Sequence, residues 1–201
     1  MKQQHTTKTV QTKTGLIIHV RPLLPMDAPY LVDLFENMGS DSRYNRFLQP
    51  VDHLEMHRIW QEAENIAQKV VDLSYGVVAF ADLPEHDDAP VASARYVMVS
   101  SAQAEIGVSV RDDMQNQGIG TALLRLLVDH AAANGLVQLI GTVQNSNGAM
   151  WSMLSKLGLR LERQPEGSYS QITIHIHETA NREHDFQDAA ADYSPEPQLI
   201  W

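Results

Sequence analysis

Gln115, Asn116, Gln117, Gly118, Ile119 and Gly120 are the residues whose types and spacing point to chemistry. They follow an apolar β-type run, residues 106–110, and with Thr121 they open a helical run that begins near Gly118. A strand that turns through glycines into a helix start makes an anion cradle. The first N–H groups of a helix lack an intrahelical partner and sit at the positive end of its dipole. Glycine lets the backbone approach a phosphate with no Cβ in the way. The segment reads as a binding site for a pyrophosphate-bearing cofactor.

Three phosphate-loop patterns compete for it. A Walker loop needs Lys after its last glycine, and Thr121 follows Gly120. A dinucleotide fingerprint needs a third glycine, where Leu123 stands, and belongs in the first βαβ unit rather than mid-chain. The pattern Q/R-x-x-G-x-G/A matches at every fixed position.

The elements that must position this loop follow from periodicity. Residues 15–21 form a short β-type run closed by Pro22 and Pro25. From Met26 to Met38 the apolar residues Tyr30, Leu31, Leu34, Phe35 and Met38 have helical spacing. Asp52 is placed to cap a second helix, with Glu55 as capping-box partner. Met56, Ile59, Trp60, Ala63 and Ile66 continue that helix, with Trp60 expected in the core. Residues 75–81, 91–99 and 104–110 read as strands, the first two joined by a charged turn over residues 82–90. The helix after the loop runs to about Asn134 on a stripe of Ile119, Leu123, Leu126 and Leu127. Residues 136–143 are nearly all apolar and predict a strand buried on both faces. Asn147 caps a helix to Lys156, and residues 159–163 and 169–177 are strands. The whole is one α/β domain with a mixed sheet, over residues 15–178. Residues 1–14 are expected to be flexible, and the acidic, aperiodic residues 179–201 to be disordered or loosely docked.

Composition removes other classes. Acids outnumber bases 25 to 15, for a net charge of -10, so nucleic acid is not an expected partner. A cationic substrate fits better, although an acidic surface is most often a solubility feature. No apolar run is long enough for a bilayer, so no membrane is expected. Residues 1–14 are polar with no apolar signal core, which favours the cytoplasm. With no cysteine, disulfides, cysteine-zinc sites and thiol catalysis are excluded. His53 and His57 are four apart on a helix, but no third ligand is evident and no metal is expected.

The segment from Ala104 to Thr121 resembles the central acetyl-CoA motif of the GNAT superfamily of N-acetyltransferases. A second stretch agrees: Asn147-Gly148-Ala149-Met150 leading to Lys156-Leu157-Gly158-Leu159 is similar to that family's N-x-x-M/A…K-L-G-F segment. Within the superfamily the chain most resembles the acetyltransferase domain of bacterial protein-lysine acetyltransferases of the Pat type. That likeness rests on Ser42-Arg43-Tyr44-Asn45-Arg46-Phe47, Ala94-Arg95-Tyr96-Val97 and Ala104-Glu105. The resemblance implies a single GNAT domain. Its central mixed, mostly antiparallel twisted sheet has about seven strands, flanked by about four helices. It implies acetyl-CoA as co-substrate and an amine acceptor, with a protein lysine side chain expected. A small amine, such as a polyamine or amino sugar, or a non-catalytic acyl-CoA sensor are the alternatives. A monomer or homodimer is equally compatible.

The implied roles meet physical needs. A lysine with pKa about 10.4 costs about 4.6 kcal/mol to deprotonate at pH 7, and a nearby general base lowers that obstacle. The resemblance assigns this role to Glu105, on the strand before the loop. Backbone N–H groups near Val108 are expected on the pantetheine arm and the developing oxyanion, with Ser109 and Val110 continuing that edge. The loop N–H groups from Asn116 to Thr121 hold the pyrophosphate. Asn147 either reaches the pantetheine arm or only caps its helix. Two departures stand out: Leu154 occupies the position where many relatives carry a thiolate-protonating tyrosine, and Gln117 stands where close relatives often have Arg. Arg111 and Arg125 are the candidates to restore that charge.

Overall fold

The structure, a computed structural model, describes residues 7–68, 74–84 and 86–179. In chain order the elements are β1 (Lys8–Gln11), β2 (Ile17–Pro22), α1 (Ala28–Glu36), α2 (Ser40–Phe47), α3 (Met56–Gln68), β3 (Ser74–Leu83) and β4 (His86–Met98). They continue with β5 (Gln103–Val110), α4 (Ile119–Ala133), β6 (Gln138–Gln144), α5 (Gly148–Ser155), β7 (Leu159–Glu166) and β8 (Tyr169–Thr179).

Alternation along the strands divides the core in two. Val77, Ala79 and Ala81 of β3 join a cluster with Leu123, Leu124 and Leu127 of α4 and Leu154 of α5. Val78 and Phe80 point the other way and meet Val32 and Phe35 of α1 and Ile59, Ala63 and Ile66 of α3. The sheet therefore has α4 and α5 on one face and α1 and α3 on the other. Its strand order is β1-β2-β3-β4-β5-β6-β8-β7.

One pairing is parallel, and it is short. β5 meets β6 only at Gln103↔Gln138, Ala104↔Leu139 and Glu105↔Ile140. β4 continues beside β5 as far as Ala92↔Val110. Beyond Glu105 the two central strands splay, and residues 106–110 keep a sheet neighbour on one side only.

The α/β class and mixed sheet agree with the expectation, with eight strands and five α-helices among the described residues. Several boundaries change. Lys8–Gln11 pairs with β2, so part of the segment expected to be flexible belongs to the sheet. α2 has no apolar stripe to announce it: Arg43 anchors it instead, donating to the Phe35 carbonyl at 3.2 and 3.1 Å and stacking 4.3 Å from the Phe35 ring. Asp52 is not the N-cap of α3, which begins four residues later at Met56; it lies 3.6 Å from Arg43 instead. The stretch read as a charged turn extends β3 and β4 to Leu83 and His86. β6 alternates rather than burying both faces, with Leu139, Gly141 and Val143 inward. Trp60 is 38% exposed, because the buried stripe of α3 is Ile59, Ala63, Ile66 and Ala67, one position round the helix. Of the expected tail, residues 180–201 lie outside the described residues.

Candidate active site

A cavity of about 250 Å³ opens where β5 and β6 part. Its walls are the freed edge of β5 (Ile106 to Val110), Thr142 and Val143 of β6, the loop into α4, and α5. Of the cofactor residues expected from sequence, Val108, Ser109, Val110, Gln115, Asn116, Gly118, Ile119, Gly120, Thr121 and Asn147 line it, and Gln117 does not.

The loop is shaped by three different devices. Gly118 has φ of 92° with open space around it, so its glycine serves the left-handed turn that starts α4. Asn116 adopts φ of 61°, a conformation asparagine tolerates. Gly120 has another reason: a Cβ there would overlap the Met153 sulfur, so this glycine permits α4 and α5 to pack closely. No side chain caps α4 at Gly118. The Gln115 amide is spent inside the protein, donating to Ser42 Oγ at 2.9 Å, Asp112 Oδ1 at 3.1 Å and the Val110 carbonyl at 3.3 Å. Gln115 thus braces the loop against α2.

Gln117 turns outward to the β1–β2 turn. Its carbonyl accepts from the Lys13 N–H at 3.1 Å, and its Oε1 accepts from the Thr14 hydroxyl at 2.8 Å. Asn147 accepts from the Met150 N–H at 3.0 Å as the N-cap of α5, and it also lines the cavity. Capping and cavity-lining therefore coexist in one side chain. Leu154 is buried and offers no proton.

Glu105 does not line the cavity. It stands at the branch point, in the last β5–β6 pair. It shares a face of β5 with Gly107, against which the Arg46 guanidinium lies; a Cβ at Gly107 would overlap it. Arg95 of β4 is the cross-strand partner of Gly107 and is buried. Burial pushes the Glu105 carboxyl above the usual carboxylate range, and the Arg46 and Arg95 charges oppose it. Desolvation lowers Arg46 to about 9, with the Arg95 charge adding to it, and Arg95 to about 10. Both remain cations at pH 7.

The sequence reading gave no site role to Lys13, Ser42, Asn45, Arg46, Thr142, Met150, Met153 and Lys156, all of which line the cavity. A signal existed for three of them: Ser42, Asn45 and Arg46 are spaced i, i+3, i+4, one face of a helix. Asn45 Oδ1 is buried with no hydrogen-bond partner among the described residues. A buried acceptor of this kind suits an N–H donor brought by a ligand. The amides of a pantetheine arm supply such donors, and the freed edge of β5 suits the same arm through β-type pairing. The N-terminus of α4 suits its pyrophosphate. The residues present therefore fit coenzyme A. Among the described residues, no group of three or more His, Cys, Asp or Glu is arranged for a metal ion.

Comparison with known proteins gives the same frame. Residues 18–160 match the family model for the acetyltransferase (GNAT) domain. An acetyltransferase of Pseudomonas aeruginosa is 26% identical over 162 residues, 79% of this chain and 83% of that protein. Acetyltransferase Pat of Mycolicibacterium smegmatis is 26% identical over 152 residues, 74% of this chain, but the match spans only 43% of that longer protein. The crystal structure of the GNAT domain of S. lividans PAT superposes with a TM-score of 0.68 at 21% identity, covering 84% of this chain and 96% of that one.

Proposed function

This chain belongs to the GNAT acetyltransferase family and uses acetyl-CoA, and from that premise we propose that it acetylates the side-chain amine of a protein lysine, with Glu105 as general base. The observation that carries the proposal is the placement of Glu105 where β5 and β6 part, beside the cofactor cavity and in a setting that raises its proton affinity. The relatives of the Pat type support lysine as the acceptor.

Acetyl-CoA supplies an acyl group activated as a thioester. The chain supplies the rest. The N-terminus of α4 and the turn at Gly118 hold the pyrophosphate. The freed edge of β5 and Asn45 orient the pantetheine arm. Glu105 takes the proton of the incoming ammonium. A carboxylate whose pKa is raised toward the working pH accepts a proton more readily than an ordinary one while still being ionised. Leu154 is buried and has no proton to give the departing sulfur. The neutral amine attacks the thioester carbonyl, and the sulfur leaves as a thiolate that water protonates.

The test is a release assay for free coenzyme A, with lysine peptides and small amines compared side by side. Lysine peptides should support turnover. Glu105→Gln should keep acetyl-CoA affinity and cut that turnover at least about tenfold, the lower part of what a general base contributes. Unchanged turnover in that variant removes Glu105 from the reaction.

A further inference from the structure

A pyrophosphate bound at α4 is held more tightly where a cation stands beside it, and the loop itself provides none that is free for it. Asp112 and Asp113 are both acidic, and Arg111 is spent on Asp113 through two hydrogen bonds of 3.1 and 3.0 Å. Arg125 donates to the Lys156 carbonyl at 2.7 Å. Neither arginine lines the cavity, so neither takes the compensating role expected from sequence. The cations on the cavity wall, among the described residues, are Lys13, Arg46 and Lys156. Arg46 lies at Gly107, on the β5 side rather than at the loop, and the Lys156 ammonium donates to Ser152 Oγ at 2.8 Å on α5.

Lys13 is held in place by a turn built to keep its shape. The Thr12 hydroxyl accepts from the Leu16 N–H at 3.0 Å, the Thr12 N–H donates to the Leu16 carbonyl at 2.9 Å, and Gly15 closes the turn at φ of 88°. Two bonds to Gln117 then fasten the turn to the phosphate loop. One of these uses the side chain of residue 117: the Thr14 hydroxyl donates to Gln117 Oε1 at 2.8 Å.

We propose that Lys13 supplies the cation for the pyrophosphate of acetyl-CoA, and that the β1–β2 turn is part of the cofactor site. The charge has moved from the loop to a neighbouring turn, and Gln117 serves as the fastening. A lysine suits this position because its ammonium is a point charge on a long stem that needs no planar partner. The assignment rests on this cavity being the acetyl-CoA site.

Calorimetric titration of the full chain with coenzyme A and with 3′-dephospho-coenzyme A, at low ionic strength, tests it. Lys13→Gln should weaken both ligands about tenfold, the effect of one lost charge contact of moderate strength, and Lys13→Arg should recover most of the loss. Gln117→Leu, which removes one of the two fastenings without changing charge, should weaken both ligands in the same direction. Affinity of Lys13→Gln within about twofold of the unaltered chain for both ligands overturns the proposal. A loss seen with coenzyme A and not with the dephospho form also overturns it, because the contact would then be to the 3′-phosphate. A chain that binds neither ligand before any substitution would instead sink the reading of the cavity. The assay measures binding alone, so the role of Glu105 is judged separately.

Discussion

Glu105 is tuned by neighbours that its own strand does not contain. Burial raises its pKa, and Arg46 and Arg95 hold it down. Protonated Glu105 cannot accept a proton, so kcat/KM should fall as pH drops through its pKa. Because that pKa is raised, the fall should begin at higher pH than an ordinary carboxylate would give. Arg46→Met removes an opposing positive charge, so the acid limb should move further up, by about 1 to 3 pH units. Gly107→Ala should move it the same way, since the new methyl displaces the guanidinium while leaving the charge in the chain. A pH-rate profile with a lysine peptide measures both shifts, with far-UV circular dichroism as the check on folding. An acid limb unmoved by Arg46→Met would mean that the arginine only fills space.

At the scale of elements, the site depends on how closely two helices and one loop approach. Gly120 sits against the Met153 sulfur, so at this point α4 adds no side chain of its own to the contact with α5. Gly120→Ala should destabilise the fold by about 1–3 kcal/mol, the usual cost of overpacking. Combined with Met153→Ala, which removes the obstructing sulfur, the total should be less than the sum of the two single effects by about 0.5 kcal/mol or more. Urea unfolding of the two single variants and the double variant reads this coupling directly. α2 makes a different contribution. It meets the loop through the Ser42–Gln115 bond and meets β5 through Arg46, so it joins both ends of the cofactor cavity.

At the scale of the molecule, the opening between β5 and β6 is a place where the sheet is left unfinished until a ligand arrives. Coenzyme A should therefore stabilise the whole chain. At a concentration 100 times its Kd, the gain is about 2.7 kcal/mol, or roughly 5–10 °C in Tm for a protein of this size. A thermal melt with and without the ligand measures it, and absence of a shift would contradict coenzyme A as the occupant of the cavity. The loop, its flanking strand and the α4 helix were legible in the sequence because glycine spacing, alternation and helical periodicity are local. So was the N-cap at Asn147. α2 was not, because arginines rather than an apolar stripe hold it, and their partners lie on other elements. β1 was not, because a four-residue polar strand is fixed by pairing with β2 and by Val10 against the core, not by a pattern of its own.

The sequence by itself determined that a glycine turn joins a strand to a helix start, that the chain is α/β, and that an acidic residue precedes the loop. Those properties reside in neighbouring residues and their backbone preferences. Only the tertiary structure decided that β5 parts from β6 at Glu105, that Gly107 is kept small for a guanidinium sixty-one positions earlier, and that Lys13 stands over the loop. Each of these is a meeting of segments distant along the chain, and packing, not local preference, selects which of them touch.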